Sequence, residues 1–220
     1  KAAAIKKAVQ ERLWNADAQF FEVIPRGTEK LSDVRELHGY TPWYFNLPDP
    51  AYAVAWRLAM DPQGFRAPYG LTTAEQRHPK FAVSYTGHEC KWDGPVWPFA
   101  TAVTLTGLAN LLNGSPQEVI ATKDYFELLR GYARSHQIRL GDGRVVPWID
   151  EVQNPTNGDW ISRTMLNRAG AKIPERGKDY NPSTFCDLVI SGLIGLRPRA
   201  DDVVEVNPLV PADAWSYFCL

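Results

Sequence analysis

One run of residues carries most of the chemistry available to this chain: Trp148-Ile149-Asp150-Glu151-Val152-Gln153-Asn154-Pro155-Thr156-Asn157-Gly158-Asp159-Trp160. Asn-Pro and Asn-Gly are turn signals, and Pro155 biases Asn154 away from helical backbone, so the run is a shaped loop. Binding and catalytic groups concentrate on loops held by rigid scaffolds. A carboxylate between large indoles sits where desolvation can tune its pKa and where a sugar face can stack. Glu151 is the candidate to activate a water. Trp148, Trp160 and Asn154 would line the place it works in. The plainer alternative is an acidic surface turn whose tryptophans plug the core beneath it.

A second cluster is Trp92-Asp93-Gly94-Pro95-Val96-Trp97-Pro98. Trp92 and Trp97 are further stacking walls, unless they too are core. Asp93 and Arg35 are candidates to bind hydroxyls, although an acid in Asp93's place can equally satisfy the free amides of a helix start. Arg163 is placed to keep Glu151 ionised. Glu36 and Glu89 are loop acids of the same general kind. Glu175, in Glu175-Arg176-Gly177-Lys178-Asp179-Tyr180-Asn181-Pro182, is an internal rival to Glu151, but its spacing to Asn-Pro is longer. Glu175 and Asp179 also fit an ion-paired helix entry with Arg176 and Lys178. His88 and Glu89 could ligate a metal, but no further His or Cys stands at a familiar ligand spacing, so no metal and no cofactor are expected. Cys90, Cys186 and Cys219 match neither a zinc pattern nor a disulfide framework, and each is expected as a free thiol.

Composition narrows the classes. A net charge of −1 with scattered basic residues gives no footprint for nucleic acid or a membrane surface. No apolar run approaches the roughly 20 residues that span a bilayer, so no membrane insertion is expected. The excess is aromatic: 8 Trp, 9 Tyr and 9 Phe, many beside Gly, Pro, Asp or Glu, a texture that suits a carbohydrate cleft.

The elements that must position these groups are mostly helical. Ile5, Val9, Leu13 and Trp14 recur at helical spacing over residues 1–19, and Phe20-Phe21 then runs extended. Asp49-Pro50 reads as the cap and first turn of a helix to about Met60. The stretch from Phe65 to Asp93 holds no period and reads as a long irregular insertion of the kind that carries function. A helix is expected from about Trp97 to Leu112, with Gly107 leaving room for a close neighbour. Ser115-Pro116-Gln117-Glu118 looks like a capping box opening a second helix to about Ser135, which makes an antiparallel hairpin with the first. Residues 163–179 read as basic and irregular. Asn181-Pro182-Ser183 opens a helix that Gly195 stops. Residues 201–206 alternate like a strand.

These motifs, in this order, resemble the (α/α)6-barrel glycosidases: family 63 α-glucosidases, mannosylglycerate hydrolases and related trehalases. Glu151-Val152-Gln153-Asn154-Pro155-Thr156-Asn157-Gly158 resembles their Glu-x-x-(Asn/Asp)-Pro turn. Trp92 to Pro98 resembles their Arg-Gly-Pro-(Ile/Val)-Trp segment, with Asp93 where Arg is common. Leu13-Trp14 through Phe20-Phe21 resembles a helix end of theirs, and Tyr180 to Phe185 their last barrel hairpin, which adds Tyr180 to the substrate-binding candidates. The resemblance implies a mainly-α chain, part of an (α/α)6 toroid of antiparallel hairpins with long aromatic loops and a short β-type exit. Residues 1–200 would be the C-terminal portion of the catalytic domain, and 201–220 would lead toward a β domain. It implies an inverting glycoside hydrolase on an α-linked glucoside or mannoside, with Glu151 as general base. The family's general acid, an Asp in a Gly-Trp-Asp-x-Ser-Pro-like loop, has no counterpart here, so the rest of the domain is expected upstream of Lys1. The alternatives are a carbohydrate-binding or scaffold subunit without the acid, and an epimerase or lyase that would use His38, His78 or His88.

Overall fold

The computed structural model describes residues 1–179 and 184–214. The expected helix start at Tyr180-Asn181-Pro182-Ser183, the approach to Trp215 and Phe218, and Cys219 lie outside the described residues. The chain is mainly α, as its sequence implies. The helices are α1 (Ala2–Leu13), α2 (Thr41–Tyr44), α3 (Arg57–Met60), α4 (Pro98–Gly114), α5 (Thr122–Ser135), α6 (Ile161–Arg168) and α7 (Thr184–Asp187). Alongside them run antiparallel two-stranded pairs: β1 (Trp14–Asn15) with β2 (Phe20–Phe21), β3 (Arg66–Ala67) with β4 (Gly70–Leu71), β5 (Gln137–Arg139) with β6 (Val145–Pro147), and β7 (Leu196–Arg197) with β8 (Glu205–Val206).

α4 is the centre. Ala100, Leu105, Leu108, Ala109 and Leu111 are buried on it, and α2, α5 and the π-helical turn Leu188–Leu193 pack around it. The α4–α5 hairpin is antiparallel: the Tyr132 hydroxyl near the end of α5 donates to the Pro98 carbonyl at the start of α4, at 3.1 Å. α5 starts at Thr122, not at Pro116. Gln117 Oε1 accepts the Val119 and Ile120 amides at 2.8 and 3.0 Å and closes a turn of its own. The cap is instead Asp124, whose Oδ2 accepts the Ala121 amide at 2.8 Å. Asp49 does not cap the next helix either. Its carboxylate takes Lys6 at 2.5 Å and Gln10 at 3.0 Å, and the chain runs as a 3-10 helix over Pro50–Trp56 before α3.

Most of the aromatic connectors build core. Phe20, Tyr40, Trp43, Trp56 and Phe65 are at most 3% exposed, and Tyr40 lies 4.2 Å from Trp56 and 5.6 Å from Phe65, ring centre to ring centre. Edge and tilted pairs of this kind add about 0.5–1.5 kcal/mol each beyond their burial. The Tyr40 hydroxyl donates to the Ala55 carbonyl at 3.0 Å, so its burial is satisfied.

Residues 163–179 are less irregular than expected, because α6 covers their start with Ile161, Ser162 and Leu166 buried. At the other end, β8 pairs back on β7, and the Leu209 amide donates to Leu193 O at 3.0 Å. Leu209 is in the same core as α4, so residues 205–210 are tied to the helical body, while 201–204 are exposed.

Gly107 has the close neighbour its position implies. A Cβ there would stand 3.2 Å from Trp43 Cβ and from the Tyr44 nitrogen, and 3.3 Å from Tyr40 O. Gly107→Val is therefore expected to overpack the α2–α4 contact and cost about 1–3 kcal/mol, read as a lower urea midpoint at unchanged m-value. Gly107→Ala should cost less, since it gains about 1 kcal/mol of helix propensity.

Candidate active site

The site is assembled by backbone pairing between segments far apart in the chain. Isolated antiparallel bridges join Glu36 to Ala74, Thr72 to Val96, Val96 to Gln153, and Gln153 to Trp160. Val96 and Gln153 exchange both of their hydrogen bonds at 2.9 Å. The other rungs are closed by the flanking main chain: the Thr73 amide donates to Pro95 O at 3.2 Å, Asn154 to Asp159 O at 2.7 Å and Ile161 to Val152 O at 2.8 Å, so buried polar groups find partners within the protein. The Gln153 side chain adds bonds to Ser135 O at 2.9 Å and Gly158 O at 3.1 Å, which fixes the turn to the end of α5.

Within the turn, Asn154 is a structural hub. Its Oδ1 accepts the Thr156 and Asn157 amides at 2.9 and 3.2 Å, and its Nδ2 donates to the Tyr85 hydroxyl at 3.0 Å. With those partners and 7% exposure it shapes the loop instead of facing a ligand, which corrects its place among the substrate-binding candidates. Gly158 adopts φ +76°, and a side chain there would strike the Tyr69 ring.

Asp150 and Glu151 sit in different surroundings. Asp150 is 1% exposed; its Oδ1 accepts the Glu151 amide at 2.8 Å and its Oδ2 the Trp148 indole N–H at 3.3 Å. Burial holds its carboxyl above the ordinary carboxylate range, against those hydrogen bonds and the Arg163 charge. Glu151 is half-buried. Burial, and then the neighbouring Asp150 charge, push its carboxyl up, while His88 pulls the other way. The segment 175–178 covers both acids. Gly177 is buried against them: a Cβ there would collide with Asp150 Oδ1 and stand 3.1 Å from Glu151 Cβ. Arg176 pairs with Glu89 and ties this segment to the loop 87–93. The Asp179 amide donates to Ile149 O at 2.9 Å.

Sequence reasoning misplaced several neighbours. Arg163 does not serve Glu151: its guanidinium reaches Glu175 at 3.3 Å and lies 5.4 Å from the Trp148 ring centre. Glu175 is thereby a partner of Arg163, and not of Arg176 or Lys178. Arg35 is committed to structure, with Nη1 on the nearly inaccessible Glu75 at 2.7 Å and Nε and Nη2 on Ala18 O at 3.1 and 2.9 Å. Glu36 is fixed by its bridge to Ala74. Asp93 is exposed at the corner before α4, its carbonyl accepting the Ala82 amide at 2.9 Å. Tyr180 lies outside the described residues.

The indoles divide the same way. Trp97 is 2% and Trp160 1% exposed, and the Trp160 N–H donates to Gln137 O at 3.0 Å, so these two are core and not walls. Trp148 is half-buried, with Lys178 4.9 Å and Arg163 5.4 Å from its ring centre. Trp92 is the more open one, 37% exposed; it stacks on Trp97 at 4.1 Å and on His38 at 5.2 Å. Next to it, burial and then Glu151's charge push the Cys90 thiol up, against a hydrogen bond with the Trp92 side chain. The residues gathered about Glu151 are therefore Asp150, His88 and Cys90, with Trp92 beside Cys90 and the Arg176–Glu89 pair across the cover. His88 and Cys90 belong to a stretch without any period. Only their chemical type marked them in the sequence.

The family model for the mannosylglycerate hydrolase MGH1-like glycoside hydrolase domain matches residues 1–183, and the chain belongs to that family. Comparison with curated proteins finds no match. Among solved structures, one titled "Sialidase" is 46% identical with a TM-score of 0.82, over 96% of this chain and 18% of that one. A GH63 mannosylglycerate hydrolase from Thermus thermophilus, in complex with glucose, is 20% identical with a TM-score of 0.48, over 71% of this chain and 36% of that one. This chain thus spans well under half of either.

Gly177→Ala should wedge the cover off Asp150 and lower the thermal midpoint by several degrees, about 1–3 kcal/mol. The control is Gly114→Ala, where an added Cβ meets nothing within 4 Å. Equal midpoints for the two variants would show that segment 175–178 does not rest on the acid pair.

Proposed function

We propose that this chain is part of an inverting glycoside hydrolase acting on an α-linked glucoside or mannoside, with Glu151 as the general base. The observation that carries this is the environment of Glu151: a carboxylate partly open to solvent, on a rigid turn, with its pKa raised by burial and by Asp150. A general base works best when its pKa lies near the operating pH, because it then combines the deprotonated form with real basicity. An ordinary surface glutamate is too weak a base for water. Trp92, 37% exposed, is the ring edge available to a pyranose, and Asp93 is an exposed polar group next to it in the chain.

Inversion also needs an acid that protonates the leaving oxygen, with the two carboxyls about 6.5–9.5 Å apart to admit the water. The nearby carboxyls are unsuited to it. Asp150 is turned onto the Glu151 amide, and Glu89 is paired with Arg176. Under this reading the acid comes from the rest of the catalytic domain, outside these residues. The same observation favours a second reading, a carbohydrate-binding subunit that keeps the hollow and lacks the acid. The sialidase title belongs to a chain of which this region matches 18%, and no residue here is assigned to sialic acid.

The test is hydrolysis by the full-length protein of para-nitrophenyl α-mannoside, α-glucoside and α-sialoside. Glu151→Gln should lower kcat/KM on a glucoside or mannoside by about a hundredfold to ten-thousandfold, with binding retained. An unchanged rate removes Glu151 from the role. Binding without turnover in the unaltered protein establishes the second reading.

A further inference from the structure

Resting on the reading of Glu151 as a base, we propose that Asp150 is its positioning residue: a sealed carboxylate that holds the Glu151 main chain and the Trp148 indole, and presents its charge to the Glu151 carboxyl. The geometry is specific. One oxygen of Asp150 accepts the Glu151 amide at 2.8 Å, the other the Trp148 N–H at 3.3 Å. Gly177 closes over it so tightly that no side chain fits at position 177. Such a carboxylate is costly to bury, and a neutral Asn could accept these bonds without that cost. What a charge adds here is an effect on its neighbour.

The groups that set this balance come from every element around the pair. Asp150 faces Arg163 of α6 and Glu175 of the cover. Glu151 faces Asp150, with His88 and Cys90 of the loop 87–93 on its other side. Arg176 is neutralised by Glu89, and Lys178 lies over Trp148. Among these, Asp150 destabilises the Glu151 carboxylate and His88 stabilises it. Removing the Asp150 charge must therefore lower the Glu151 pKa. Since a base acts deprotonated, the acid limb of kcat/KM must move to lower pH.

The experiment follows the side-chain carboxyl of Glu151 by carbon NMR in full-length protein labelled at glutamate and aspartate, with Glu151→Gln assigning the signal. In Asp150→Asn the Glu151 midpoint should fall by about one unit, and the acid limb on para-nitrophenyl α-mannoside or α-glucoside by the same amount. A folded Asp150→Asn with an unmoved midpoint overturns the proposal. Where that variant does not fold, the unaltered protein decides. Two coupled carboxyls titrate as a pair, so the Glu151 signal should show a second inflection at the Asp150 midpoint, and a single inflection overturns the proposal. The NMR coupling needs no turnover. An active Glu151→Gln would thus refute the base assignment, whereas an uncoupled titration refutes the role of Asp150.

Discussion

The candidate site depends on the bridge ladder from Glu36 through Ala74, Thr72, Val96 and Gln153 to Trp160. Each rung is only a main-chain hydrogen bond or two, worth about 0.5–1.5 kcal/mol net. Their force lies in the alternative. Thr73, Val96, Val152, Gln153 and Ile161, which make the rungs, are buried, so a broken rung leaves buried amides or carbonyls without partners. A slip of one residue is equally closed off, because it would turn Val152 out of the core and a polar neighbour into it. The loops that carry the acids are held by this obligation more than by contacts among the acids themselves.

A second constraint is the supply of rings. A chain this rich in Trp, Tyr and Phe could place them in a cleft or in a core, and it places most in the core. Phe20, Tyr40, Trp43, Trp56 and Phe65 interlock beneath α4, Trp97 is buried next to the Val96 rung, and Trp160 is buried at the end of the ladder. Trp97 does so while stacked under Trp92 at 4.1 Å, so the buried ring sets the position of the open one. The packing and the presentation of an aromatic surface are one arrangement.

What was legible follows from the range of each signal. The α4–α5 hairpin and Gly107 were readable, because helical period and a missing side chain are local. The turn at Asn154-Pro155 was readable for the same reason, down to Asn154 accepting its own downstream amides. The capping box at Ser115 failed because Gln117 closed the turn first, leaving Asp124 to cap. α6 was lost because two turns with basic residues give too little period to see. The β5–β6 hairpin was not anticipated, since Gly141-Asp142-Gly143 sits between short, exposed strands. The partners of Arg35 and Arg163 were illegible in principle: a guanidinium can reach any acid the fold brings near, and the fold brought Glu75 and Glu175.

The same limit explains why the sequence could single out Glu151 and yet say nothing of the sealed place taken by its neighbour Asp150. The chain bends at Glu151, so the two successive acids part, Asp150 buried and Glu151 half-exposed. The ladder at Val152 and Gln153 decides which. Asp150 is inward and sealed by Gly177; Glu151 stands at the rim facing His88 and Cys90. In the proposed mechanism, environments that differ this sharply within one dipeptide divide the labour between two acids, one kept from solvent to act as a fixed field and one left open to exchange a proton. Were the register set one residue over, the open acid would be Asp150, a methylene shorter. The role assigned to position 151 is thus decided by main-chain pairing at residues 96 and 153 before any side-chain chemistry enters.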